Sequence, residues 1–162
     1  NPEEYTGSGL AVVGVTLSAG LLTAGLGLAV YTYATEVPDG YQRIAFYEMK
    51  PDVREKGEGQ YVPPKIQALE GAAVFLKGYM RPPAQSRGLD SFLLVRDNEE
   101  CCFGKNLPDY FDQVQVKLEP PLLTDYSKSK VYRVGGTLHI DPTSARPGSR
   151  EAVFTLTADY LK

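Results

Sequence analysis

The chain has no tryptophan, one histidine, two cysteines and, from Gly9 to Tyr33, not one charged side chain. Each shortage closes off a class of function. The single imidazole, His139, is the one histidine base available to a serine nucleophile. It stands in "TLHID", where strict alternation with Leu138 and Ile140 turns it outward with Thr137 and Asp141. The two thiols are adjacent, Cys101 and Cys102. Neighbouring residues on an extended chain face opposite ways, whereas chelating cysteines are spaced C-x₂₋₄-C and redox pairs C-x-x-C. No glycine-rich phosphate loop is present, since "VGGT" lies inside an apolar strand pattern. The paired carboxylates Glu99 and Glu100 read as solvated loop charges. These absences predict a protein that is not an enzyme and carries no cofactor.

Charge is missing in a second sense. Residues 1–35 hold no Lys or Arg and only two acids, Glu3 and Glu4. The remaining 127 residues therefore carry all 17 basic and 18 of the 20 acidic side chains, a net charge of −1. Proteins that grip nucleic acid need clustered cations to displace counterions, so nucleic acid is excluded as a partner.

What is present begins with "GLAVVGVTLSAGLLTAGLGLAVYTY", 25 residues from Gly9 to Tyr33. A hydrocarbon core takes about 20 helical residues, whereas the core of a signal peptide spans roughly 7 to 15 and follows a basic region, absent here. The expectation is a membrane-spanning helix over residues 9–34 after an N-terminal tail, 1–8. Gly14, Ser18, Gly25 and Ala29 recur at spacings of four, seven and four. That places them on one helical stripe where a second helix could approach closely. Tyr31 and Tyr33 suit an interfacial belt, and Pro38 a helix stop. Arg43 and Lys50 follow the span while no base precedes it, a weak vote for a cytoplasmic domain.

Residues 35–71 read as a linker and approach segment. "RIAFYEM" suits a short strand or a packing segment, and Ile66 and Leu69 after Pro63 and Pro64 suit one or two helical turns ending at Gly71. From residue 72 to 162 the pattern becomes β. "AAVFLKGYM", "SFLLVRD", "QVQVKLE", "VYRVGGTLHI" and "AVFTLTADYL" are five strand signals divided by turn-rich stretches. In the third, Val114, Val116 and Leu118 alternate with Gln113, Gln115, Lys117 and Glu119. In the fifth, Phe154, Leu156, Ala158 and Tyr160 alternate with Thr155, Thr157 and Asp159. Five strands without long helices predict a mainly β domain, a small OB-like Greek-key barrel. The alternative is a β-sandwich of the immunoglobulin kind, which wants about seven strands and a buried Trp. Gly135 and Gly136 mark a bulge or barrel corner in the fourth strand.

Tyrosine is plentiful, with 11 in the chain. Tyr41, Tyr47, Tyr61, Tyr79, Tyr110, Tyr126 and Tyr132 fall at turns and strand ends, where an amphipathic ring can cover a partner; the competing reading is the ordinary preference of Tyr for strands. For Cys101 and Cys102 three readings stay open: structural thiols in a turn, a vicinal disulfide, or metal ligation together with His139.

The ordered motifs "GYMRPP", "FLLVRDNEECCFG", "VQVKLEPP" and "VGGTLHID" resemble a family of small bacterial exported domains of unknown function, which pair a G-Y-M-x-P strand end with F-L-L-V and a C-C-F-G turn. The resemblance covers residues 65–160 and is most specific at Gly78 to Pro82 and Cys101 to Gly104. It implies a membrane-attached, periplasm-facing domain and supplies no activity; the departure is a long apolar helix in place of a lipid-bearing cysteine. The combined expectation is a single-pass accessory or structural subunit of a larger complex in the bacterial inner membrane. Its partners would be the bilayer and other integral membrane subunits. The alternative is a thiol-dependent metal or cofactor carrier at the membrane surface.

Overall fold

The computed structural model describes residues 8–51, 62–97, 109–141 and 152–162. By internal contacts the chain divides into two compact units, Asn1–Pro38 and Asp39–Lys162.

The first unit is one helix, α1 (Ser8–Thr35). Its span Ala11–Thr35 is long and apolar enough to cross a membrane. At 1.5 Å per residue those 25 residues reach roughly 38 Å, beyond the roughly 30 Å of hydrocarbon. Every residue of that span is exposed. Its threonine hydroxyls are bonded to its own backbone. Thr16 donates to the carbonyls of Val12 and Val13 at 3.0 Å, and Thr23 to those of Ala19 and Gly20 at 3.0 Å. Thr32 donates to Ala29 at 3.0 Å and Thr35 to Tyr31 at 2.8 Å. Threonine bonded back onto its own helix is a polar residue made compatible with hydrocarbon.

The second unit is a closed barrel. β2 (Ala73–Met80), β3 (Ser91–Val95) and β4 (Gln113–Leu118) form an antiparallel meander, and β6 (Phe154–Leu161) runs parallel to β4. β5 (Val131–Ile140) is antiparallel to both β6 and β2 and closes the ring. These five strands are the five sequence signals, in a Greek-key order of the OB type rather than a sandwich. A two-residue strand, β1 (Gln42–Arg43), pairs parallel with the start of β2.

Alternation fills the barrel. Val74, Leu76 and Met80 of β2 meet Phe92 and Leu94 of β3, Val114, Val116 and Leu118 of β4, and Val134, Leu138, Phe154 and Leu156 of β5 and β6. Each inward Leu or Phe removed from water contributes roughly 1.5–3 kcal/mol. The segment before the barrel adds to this core. Ile44 and the one-turn helix α2 (Phe46–Met49) contribute Phe46 and Met49, while Val62 and α3 (Pro64–Gln67) contribute Val62 and Ile66. Phe46 sets a requirement at Gly78, where a Cβ would stand 3.1 Å from its ring and 2.5 Å from the Val95 carbonyl oxygen. After α3 the chain turns at Gly71 with φ +74°, and the Gly71 N–H donates to the Leu138 carbonyl at 2.8 Å.

Two alternation readings are corrected. Gln113 is buried at 3% exposure, although it shares the outward register of Gln115 and Lys117. Tyr160 leaves the face of Phe154, Leu156 and Ala158 because β6 carries a bulge. Gly136 pairs with Ala158 and Gly135 with Tyr160, so Asp159 is an extra residue between them. One inserted residue sends the following side chain to the other face. The two glycines let the strands close up: a Cβ on Gly136 would lie 2.1 Å from the Thr157 carbonyl oxygen.

Candidate functional site

The bulge builds a second, outer cluster on the barrel wall. Phe75 lies between the inward residues Val74 and Leu76 and so points outward, yet it is fully buried. It is covered by the Tyr160 ring, 6.2 Å away between centroids, and by the Arg43 guanidinium 5.9 Å from its centroid. Tyr41 lies against Gly135, whose missing side chain leaves room for the ring; a Cβ there would come within 2.9 Å of it. The Tyr41 and Tyr160 centroids are 6.2 Å apart. The Tyr41 hydroxyl donates to the Asp159 carboxylate at 2.8 Å. Burial among these groups, with the hydrogen bond to Asp159 and its negative charge, raises the Tyr41 pKa from the ordinary 10.0 to about 12. This cluster straps residues 41–43 to the outside of β2, β5 and β6. Sequence reasoning did not find it; the double glycine was the available signal, since it marked the bulge.

A further polar contact joins Arg96, just past β3, to Asp112, just before β4. The Arg96 N–H donates to the Asp112 carbonyl at 3.1 Å, and its guanidinium pairs with the Asp112 carboxylate at 3.0 Å. Burial raises the Asp112 pKa in spite of Arg96, so removal from water outweighs the ion pair there. Cys101 and Cys102 themselves lie outside the described residues, as do Glu99, Glu100 and Tyr61.

His139 is outward and exposed on β5, as alternation predicts. Its Nδ1 is 3.4 Å from the Glu70 carboxylate, whose other oxygen accepts the Ile140 N–H at 2.6 Å. Both side chains are about half exposed, 52% and 51%, so the pair contributes little to stability. Among the described residues no group of three or more His, Cys, Asp and Glu side chains is placed to hold a metal.

The tyrosines divide. Tyr47 is 75% exposed on α2, whereas Tyr110 and Tyr132 are core residues at 4% and 0%, which corrects their reading as contact rings. Tyr132 is satisfied in the interior. Its hydroxyl donates to the Asp125 carbonyl at 2.6 Å and accepts the Ser127 N–H at 2.9 Å. Burial raises its pKa, opposed by that Ser127 hydrogen bond.

On α1, Gly14, Ser18, Gly25 and Ala29 fall within an arc of roughly 60° at 100° per residue. Apart from the helix's own backbone and the adjoining residues, nothing among the described residues lies within 4 Å of where a Cβ on Gly14 or Gly25 would stand.

No family model matches the chain, and no curated protein matches it. Among solved structures, the chain is similar to the crystal structure of a DUF3299 family protein from Pseudomonas aeruginosa PAO1. The identity is 18% and the TM-score 0.53, over 75% of this chain and 95% of that one. The likeness is one of fold, shared with a bacterial domain of unknown function.

Proposed function

We propose that this chain is a single-pass accessory or structural subunit of a larger bacterial membrane complex, non-catalytic, whose β-domain faces the periplasm and makes protein contacts. The observation that carries the reading is α1: 25 apolar residues, all exposed, whose threonine hydroxyls are bonded to their own backbone. A helix of that composition finds its burial in lipid and against other helices. The stripe of Gly14, Ser18, Gly25 and Ala29 supplies the close-approach surface that helix association in lipid uses. The periplasmic side follows from the resemblance of Gly78 to Pro82 and Cys101 to Gly104 to exported domains. It stands against the weak charge vote of Arg43 and Lys50.

Extraction of native membranes with a mild detergent tests the proposal. The chain is expected to leave the membrane with stoichiometric integral partners, and Gly14→Leu/Gly25→Leu to reduce their recovery without changing membrane insertion. Recovery of a monomer without partners would overturn it.

A further inference from the structure

The strand register assembles a cationic row that is scattered in the sequence. Lys77 of β2 stands directly opposite Arg133 of β5. Arg133 in turn exchanges both backbone hydrogen bonds with Lys162, at 3.0 and 2.9 Å, so these two are also a directly opposed pair. Directly paired residues share a face. The face here is the outer one, because Lys77 alternates with the inward Leu76, and Arg133 with the core residues Tyr132 and Val134. Lys77 and Lys162 are exposed and Arg133 is half-buried. Along β2 the outward series continues through Tyr79, half-buried, to the exposed Arg81 just past the strand end.

Like charges directly opposed across strands destabilise a sheet. Three in one row concentrate positive charge at one place on the barrel wall. Lys77 and Arg133 also engage neighbours of their own chain, and an outside anion would add to those contacts. A chain net of −1 after residue 35 gives no general attraction for anions, so any such attraction is local to this face.

We infer that the outer face of β2, β5 and β6, with Lys77, Arg133 and Lys162 at its centre and Tyr79 and Arg81 beside them, rests on an anionic lipid headgroup surface. The occupant is a bilayer rather than an acidic protein for two reasons on the same chain. An apolar 25-residue helix ends at Thr35, seven positions before the first strand of the domain at Gln42, which holds the domain at high effective concentration over any bilayer the helix enters. The face also mixes a tyrosine with flanking cations, the composition that settles at headgroup depth. Each basic residue near an anionic surface strengthens binding by roughly five-fold, so three act as a usable second anchor beside the helix.

This inference rests on the chain being membrane-anchored, and the test separates the two. The full chain is reconstituted in nanodiscs of phosphatidylcholine alone or of phosphatidylcholine with 30% phosphatidylglycerol. Its lysines are acetylated under limiting reagent and quantified by mass spectrometry. Lys117, exposed on the outer face of β4, serves as the internal reference. Lys77 and Lys162 are expected to label at least three-fold more slowly relative to Lys117 in the anionic discs. Labelling is expected to recover in 1 M NaCl, where screening acts within about 3 Å. Equal ratios in both lipids, with the chain inserted, would overturn the inference alone. Protection that is the same in neutral lipid, or that survives salt, would also overturn it, since another occupant then covers the face. A chain that does not enter the discs overturns the anchored reading and this inference with it.

Discussion

Gly136 is the position where one added carbon has the largest consequence. Its would-be Cβ meets backbone, the Thr157 oxygen at 2.1 Å and the Ala158 Cα at 2.6 Å, rather than the end of a flexible side chain. Relief requires β5 and β6 to part across the bulge, so Gly136→Ala is expected to cost about 3 kcal/mol or more, read as a lower denaturation midpoint at unchanged slope. Gly135→Ala meets only the Tyr41 ring, at 2.9 Å, and should cost less because that ring can move. Tyr41 makes a prediction of a different kind. Tyr41→Phe removes a partly exposed hydrogen bond and should cost roughly 0.5–1.5 kcal/mol near neutrality. The folded-state pKa of Tyr41 is raised to about 12 from the ordinary 10.0, so its contribution is fully present below pH 10 and is lost as pH climbs through 12. The wild type and Tyr41→Phe should therefore converge in stability over that alkaline window. A spectrophotometric titration should show one late-ionising tyrosine missing from the variant.

The bulge in β6 is the element on which the outer cluster depends. If β6 ran regularly with Asp159 paired in turn, Tyr160 would return to the face of Phe154, Leu156 and Ala158, into a core already filled. Asp159→Ala leaves the bulge in place and loses only the acceptor of the Tyr41 hydroxyl, a cost of roughly 1 kcal/mol. Deleting Asp159 removes only the extra residue: Ala158 and Tyr160 then follow one another as their partners Gly136 and Gly135 do, Tyr160 stays on the outer face beside Phe75 and Tyr41, and the cost should stay near that of Asp159→Ala. Urea unfolding of the two variants side by side checks this, and a much lower midpoint for the deletion would show that the bulge does more than set which face Tyr160 takes. The same element marks how far the sequence could be read. Period-two alternation located all five barrel strands and the outward His139, because one face of each strand must be apolar. It placed Tyr160 wrongly because alternation counts residues and a bulge resets the count. The double glycine announced an irregularity but not which strand carries the extra residue. Phe46 and Met49 were equally hard to read as core, since a four-residue helix is too short to show a period. The row of Lys77, Arg133 and Lys162 could not be seen at all, because it exists only once the register is known.

At the scale of the whole molecule, the chain divides into two compact units. The core of the second unit is assembled from Ile44 through Ala158 without any residue of α1, and every residue from Ala11 to Thr35 is exposed. An uncharged 25-residue run has no charged face to turn to water. A chain beginning at Asp39 retains Tyr41, β1, α2 and the barrel, so it is expected to fold in aqueous buffer as a cooperative unit. Its thermal midpoint should fall within about 2 °C of that of the barrel in the detergent-solubilised full chain, because a change of 1 kcal/mol would move a domain of this size by roughly 4 °C. Starting instead at Lys50 removes Ile44, Phe46 and Met49 from the core together with the Tyr41 strap. Large-to-small changes at single buried positions already cost about 2–5 kcal/mol, and a domain typically has 5–15 kcal/mol to lose. The shorter chain should therefore be unfolded at room temperature, with far-ultraviolet circular dichroism lacking the barrel signal. If the chain from Lys50 folds as well as the chain from Asp39, the segment between helix and barrel is a passive connector. If it does not, that segment is part of the domain it leads into, and the polypeptide passes from the helix directly into folded structure.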